Sequence, residues 1–413
     1  MLRAVRIGGC IIGGWTVLGG TALAANPPTP TWQTNGQVRS IAFSNGRMYV
    51  AGEFSTVRPP GAPLGSSKSV ARHNIAAFDA KTGALKRWHV GTNGRVYSIA
   101  VVGNRIYLGG DFTVVGGKRR HRLAAVTVHG KVTAWNPGAD ATVNVVKPGP
   151  NGNIFVGGRF GRIHGHQRTR LAEISPGGRL RTWAPRVAQI TGFACPPRCS
   201  PVVFTIGFSP DGGTVYFGGH FGKVDGAARN EAAAVSLARG RILRAWNPNI
   251  YAPANCPSCT TIETSRVYHL IVTRSRIYTC GGYWKVNGTH TSYNVSAFDP
   301  ESGRLDTSFN GQDDGDTPGC DLRGNILYVG GHFNVAGPGC TPSHQSSCST
   351  RHHVAAFNVD GNSLLSWNPD ANSNHGLLVI RAARKHAGFG GFFTRFGGRD
   401  QEGVALYRRS QLP

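Results

Sequence analysis

The chain has 413 residues, with 58 Gly and 24 Pro, 16% charged positions and 40% apolar ones. Long helices and coiled coils are excluded because helix interiors reject Gly and Pro, and charge-driven disorder is excluded by the apolar content. The formal net charge of +25 rests on 45 Lys+Arg against 20 Asp+Glu, which favours anionic partners and leaves few carboxylates for chemistry that needs paired acids.

Arg3 and Arg6 precede an apolar stretch from Ile7 to Leu18, and Ala22-Leu23-Ala24 supplies small residues at a cleavage-site spacing. Residues 1–24 therefore read as a secretory signal peptide, and the chain as secreted. An uncleaved anchor is the alternative, against which the Gly-broken stretch is short for a bilayer span. Cleavage removes Cys10 and leaves eight cysteines, an even number that reads as disulfides in an exported chain. Spacing suggests Cys195 with Cys199, Cys256 with Cys259 and Cys340 with Cys348, leaving Cys280 and Cys320 to bridge neighbouring repeats; other connectivities stay open. Cys256-Pro-Ser-Cys259 also has redox and zinc readings, but no βαβ pattern surrounds it.

The remainder, residues 25–413, repeats one phrase as a single domain. Its clearest copy runs from Val96-Tyr-Ser-Ile-Ala through Arg105-Ile-Tyr-Leu-Gly-Gly-Asp-Phe112 and Leu123-Ala-Ala-Val126 to Trp135-Asn-Pro137. Gly-Gly-x-Phe returns at Gly157, Gly218, Gly330 and Gly390, with variants at Ala51-Gly-Glu-Phe54 and Gly281-Gly-Tyr-Trp284, making seven copies. Each copy holds four β-like runs separated by Gly, Asn, Asp or Pro turns, which predicts an all-β, seven-bladed β-propeller with four-stranded antiparallel blades. Six fourth runs end on an aromatic, Trp88, Trp135, Trp183, Trp246, Phe309 and Trp367. The seventh copy stops near Tyr407 without its fourth run, and residues 30–37, with Trp32, are expected to complete it and close the ring.

These residues resemble the delta-60 repeat family of secreted bacterial β-propellers, over essentially residues 30–410. The resemblance implies the architecture and carries over no catalytic residue.

Loops from the fourth run to the next first run, and from second to third runs, are expected on one face. The insertion Arg58 to Ala71, the Cys340–Cys348 loop, both short cysteine pairs and the acidic run all fall there. Elaborated loops on a rigid scaffold suit a binding surface, or are tolerated insertions stapled for durability. Arg72, Arg120, Arg168, Arg229 and Arg351 recur at one repeat position, so each is either a binder of phosphate, sulfate or carboxylate or a strut bonding carbonyls of its own blade. The slot after Gly-Gly varies as Glu53, Asp111, Arg159, His220, Tyr283, His332 and Phe392; His220 and His332 are added to the candidate binding set. Asp313, Asp314 and Asp316 are a weak Ca²⁺ candidate without a full calcium-hand spacing. Asn287-Gly-Thr289 and Asn294-Val-Ser296 match the N-glycosylation pattern.

No nucleophile, paired acids or cofactor motif stands at diagnostic spacing, so no catalytic residue and no cofactor are assigned. The leading expectation is a secreted or cell-surface binding or scaffold propeller, monomeric and without a transmembrane anchor. It would engage an anionic cell-envelope or extracellular polymer, or a protein, through its elaborated face. The alternative is an exported propeller enzyme acting on carbohydrate or a small oxidisable substrate. Specific nucleic-acid binding is not expected, because the basic residues form no aromatic-interleaved stripe.

Overall fold

The computed structural model describes residues 27–189, 200–251, 265–288, 290–291, 293–340, 348–373 and 375–413. The signal-peptide reading and the pairs Cys195–Cys199 and Cys256–Cys259 lie outside those residues. The described chain is almost wholly β, in small antiparallel sheets of mostly three strands, a pattern compatible with a propeller-like arrangement.

Seven larger sheets repeat one meander, each with its second strand in the middle. Unit one is Gln37–Ser44, Arg47–Glu53 and Ile75–Asp79, and unit two is Val96–Val102, Arg105–Gly110 and Leu123–Thr127. Unit three is Val143–Pro148, Ile154–Gly158 and Leu171–Ile174, and unit four is Val202–Phe208, Thr214–His220 and Ala232–Ser236. Unit five is Arg266–Val272, Ile277–Gly282 and Val295–Phe298; unit six is Gly319–Arg323, Ile326–Gly330 and Val354–Asn358, extended by Ser363–Leu364; unit seven is Leu377–Ala382, His386–Gly391 and Val404–Arg408.

A fourth ladder strand, expected in every unit, is present as such only in unit six among the described residues. In units one to five the fourth run touches the third strand through one bridge, as in Phe78 with Leu85 and Val126 with Val132. The chain turns its aromatic inward, Trp135 meeting Tyr107 edge-on at 5.1 Å and Trp88 meeting Tyr49 at 5.3 Å. In units two, three and four a proline stands two residues on, as in Trp135-Asn-Pro137, and has no N–H with which to continue a ladder. The indoles also reach forward to the next unit: Nε1 of Trp135 donates to Ser175 O at 3.1 Å, and Nε1 of Trp246 to Asp299 O at 3.2 Å.

In unit seven the equivalent partner comes from the other end of the chain. Thr29 bridges Leu406, its N–H donating to Leu406 O at 2.8 Å. Trp32 packs against the cluster holding Val404 and Leu406, and the Glu402 N–H donates to Gln33 Oε1 at 3.0 Å.

The apolar cores lie between sheets. One joins Tyr49 and Trp88 to Ile99 and Leu108, another joins Tyr107 and Trp135 to Val146 and Val156, and a further one joins Val404 and Leu406 of unit seven to Val38 and Ile41 of unit one. The first strands touch in chain order, and that of unit seven touches that of unit one.

The Gly-Gly pair follows from this packing. A Cβ on Gly109 would lie 2.7 Å from Val146 of the next unit, and one on Gly110 would lie 2.1 Å from the Arg95 carbonyl oxygen beside its own first strand. The first strand carries a β-bulge at that end, between Val96 and Ser98. Unit five departs by one residue from the sequence expectation: Gly282, not Tyr283, fills the slot matching Glu53, because Arg266 pairs Gly282 as Gln37 pairs Glu53. Tyr283 is instead a fully buried ring whose hydroxyl meets Thr279 and Ser296. Cys280 thereby takes the place of the first glycine and is disulfide-bonded to Cys320, on the first strand of unit six.

The segment entering each first strand pairs with the hairpin between second and third strands. Gln33–Thr34 pairs with Thr56–Arg58, Val187–Ala188 with Lys223–Val224, Gly311–Asp313 with Val335–Pro338, and Ala371–Asn372 with Arg395–Phe396. The two loop classes therefore meet in satellite sheets on a common side. Cys340–Cys348 closes one of these hairpins.

Candidate functional site

All seven first strands contribute to one cavity of about 360 Å³. The bulges decide what faces it. In every unit but the sixth the first strand carries an irregularity after its leading residues, and the extra residues are Arg39, Tyr97, Asn144, Phe204, Tyr268 and Leu378. All six line the cavity, at the end of the strands nearest the satellite sheets. The Arg39 guanidinium lies 5.2 Å over the Tyr97 ring, and Phe204 packs 5.4 Å from Tyr268. Arg95 and Arg266 brace this end by donating to the Tyr97 and Tyr268 hydroxyls at 3.4 and 3.1 Å, and Arg95 pairs with Glu53 at 2.8 Å.

Deeper along the same strands stand Lys147, His269 and Arg381. Arg381 pairs with Asp321 at 3.3 Å, and the Asp321 carboxylate also accepts from the Ala382 N–H at 2.8 Å. Lys147 is reached by solvent in the lumen but is walled in by protein, and among the described residues no carboxylate pairs with it. Enclosure lowers its affinity for a proton and the charge of Arg381 lowers it further, against the charge of Asp321, which raises it. Burial, then the charges of Lys147 and Arg381, hold His269 neutral with a pKa of about 3. The cavity lining thus carries three cations, Arg39, Lys147 and Arg381, and no acid. It can accept an oxyanion, with the aromatic residues Tyr97, Phe204 and Tyr268 in the same lining.

The five repeated arginines are bound into their own units. Arg120 and Arg168 donate through NH2 to Thr133 O and Arg181 O, Arg229 to Arg244 O and Arg351 to Leu365 O, so each ties its hairpin to the fourth run. Arg72 bonds the Ala71 carbonyl. His220 is buried, with Nδ1 3.3 Å from Glu231 and 3.0 Å from Ser265 O. Burial works against its charge, but the bond to Glu231 and that residue's charge raise its pKa overall. Glu231 holds this position in the left-handed region, at φ 63°. His332 is exposed at the unit six mouth, its ring stacked 6.5 Å from His353 and lying 6.4 Å from His375.

The acidic run does not converge. Asp313 is fully buried and accepts from Thr317 and Asn294; Asp314 accepts from the Asn334 and Val335 N–H groups, as Asn93 does from Thr113 and Val114. Among the described residues no group of three or more His, Cys, Asp or Glu side chains could hold a metal ion. Asn294 is buried and bonded to Asp313, and Asn287 donates to Pro248 O and Gly303 O, so both sequon amides are engaged in the folded chain. Among the described residues no helix is long and apolar enough to cross a membrane.

The sequence reading missed Arg39, Lys147, His269 and Arg381. Their signal was present: each is a polar interruption in an otherwise apolar first strand, as in Val143-Asn-Val-Val-Lys147.

No family model matches the chain, and no curated protein matches it. Among solved structures, it is similar to the computationally designed Ika8 protein (TM-score 0.49, 11% identity, covering 93% of this chain and 100% of that one). It is also similar to the WD40 β-propeller domain of Doa1 (TM-score 0.50, 10% identity, covering 94% of this chain and 99% of that one). The likeness to the second is one of fold: the chain has a propeller-like fold.

Proposed function

We propose that the seven units are the blades of a ring closed by residues 27–34 and that the chain is an exported binding or scaffold propeller of the delta-60 repeat kind. Its satellite-sheet face would engage an anionic envelope or extracellular polymer. The reading of a ring is supported by the contact of the first strands of units seven and one and by the Thr29–Leu406 bridge. The observation that carries the binding reading is on the satellite hairpins: Lys118, Arg119, Arg162, Arg395 and Arg399 are all exposed there. The pairing of the two loop classes on one side would present these charges together, and guanidinium forks suit sulfate, phosphate and carboxylate groups.

The test is retention on immobilised sulfated or uronate polymer, eluted by salt. Lys118→Glu/Arg162→Glu/Arg395→Glu is expected to elute at markedly lower salt than the native chain. Arg179→Glu/Arg239→Glu/Arg241→Glu, three exposed cations on the opposite turns, is expected to change elution much less. Equal loss in both variants reduces the attraction to net charge and removes the satellite face as the docking surface.

A further inference from the structure

We propose that the cavity enclosed by the seven first strands is a binding site for a small anionic carbohydrate, a sugar ring bearing a carboxylate or phosphate. This goes beyond polymer attraction by the satellite face and needs only the enclosed lumen. Its oxyanion is taken by Lys147, and its ring lies against Tyr97, Phe204 and Tyr268.

Four observations converge. The volume, about 360 Å³, suits a single sugar unit and lies at the small end of ligand cavities. The charged lining is Arg39, Lys147 and Arg381, with no acid. Of these, Arg381 is already matched by Asp321 at 3.3 Å, whereas Lys147 has no such partner among the described residues. Lys147 faces solvent in the lumen and feels the charge of Asp321 only together with Arg381, and the fold does not require a cation there, since Ala42 and Ala100 hold the same place on the first strands of units one and two. A cation that packing does not require, without an ion pair of its own and facing a lumen, is where an anion would be gained.

The aromatic end supplies the second half of the site. Tyr97, Phe204 and Tyr268 project from bulges, so their direction is set by an inserted residue and not by ordinary strand alternation. The two tyrosine hydroxyls are steered by Arg95 and Arg266, and both rings line the lumen with the Arg39 guanidinium above Tyr97. Arg39 then guides the anion inward, and His269, neutral and 3.7 Å from the Cys320 sulfur, adds a polar edge without a competing charge. Asn144, whose Oδ1 is buried without a partner, can accept from a sugar hydroxyl.

The experiment titrates glucuronate, glucose 6-phosphate, glucose and inorganic phosphate into the whole chain, followed by calorimetry and thermal shift. The acidic sugars are expected to bind and raise Tm with concentration, glucose not to bind, and inorganic phosphate to bind at least about tenfold more weakly than glucose 6-phosphate. Lys147→Met is expected to fold, to melt at the native temperature or above it, and to lose binding by about tenfold to a hundredfold. Tyr268→Leu is expected to weaken the sugars but not phosphate. Binding of the sugars to Lys147→Met as to the native chain, or no binding of either acidic sugar, overturns the proposal. Phosphate binding equal to that of glucose 6-phosphate overturns the sugar assignment. Retention of Lys147→Met on the polymer matrix is expected to be native, so the cavity and the satellite face fail separately.

Discussion

The guanidinium of Arg58 and the carboxylate of Glu402, 344 residues apart in sequence, form an ion pair whose side chains are only 7% and 18% exposed. Arg58 begins the hairpin insertion of unit one and Glu402 leads into the last strand of unit seven. Arg58 also reaches Gln33 Oε1 and the carbonyls of Thr34 and Ala62, so one side chain gathers the N-terminal segment, the insertion and the C-terminal unit.

Glu402→Ala leaves that enclosed guanidinium without its counter-charge and is expected to cost about 3 kcal/mol, with Glu402→Gln losing less. Denaturant unfolding measures it. A loss below about 0.5 kcal/mol, the scale of a solvent-exposed pair, contradicts a role for this pair in holding the two ends.

Cys280–Cys320 spans 40 residues of sequence, for which chain entropy gives a stabilisation of about 4 kcal/mol. In the other units a small residue stands where Cys280 does, Ala51 in unit one and glycine elsewhere, and an aliphatic residue such as Ile41, Val146 or Ile206 stands at the place of Cys320. The pair Cys280→Gly/Cys320→Ile, which restores that pattern, is expected to recover stability that Cys280→Ser/Cys320→Ser does not. Thermal melts with and without reductant test both. A Gly/Ile variant no more stable than the Ser/Ser one contradicts the repeat-based reason for the cysteine.

Burial pushes the Asp313 carboxyl up to about 8, against the hydrogen bonds it accepts from Thr317, Asn294 and the Gly315 N–H. The folded chain therefore keeps a proton that the unfolded chain releases near its ordinary value of 3.8. Between those values the native state binds more protons, so this group's contribution is complete below about pH 4, declines as pH rises and is lost by passage through about 8. Asp313→Asn keeps the shape without the titration and is expected to gain on the native chain progressively from pH 5 to 8.5. A difference between the two that is independent of pH, read by urea unfolding across that range, rules the mechanism out.

The fourth-run tryptophans offer a paired comparison. Trp135→Phe loses the bond to Ser175 O and is expected to cost about 1 kcal/mol, whereas Trp135→Ala, which also empties the contact with Tyr107, is expected to cost about 4 kcal/mol. The Nε1 of Trp367 is buried without a partner, so Trp367→Phe removes an unsatisfied donor and is expected to be neutral or stabilising. Unit five already carries Phe309 at this place, edge-on to Tyr278 at 5.4 Å. Equal costs for the two Phe variants would show that the donor is irrelevant at both.

The repeat and its β character were legible because strand alternation, turn residues and a recurring aromatic are local and are copied along the chain, whereas of residues 30–37, expected to complete the last unit, Gln33–Thr34 pair with Thr56–Arg58 and the bridge to Leu406 is made by Thr29. The recurrence of Arg72, Arg120, Arg168, Arg229 and Arg351 was equally visible, but its meaning was not, since the carbonyls these side chains meet depend on how the fourth run folds back. Tertiary structure alone decided that Arg39, Lys147, His269 and Arg381 share one lumen, for two reasons. They come from four strands far apart in sequence, and a bulge of one residue reverses which side chains face inward, a displacement that alternation in the sequence cannot register.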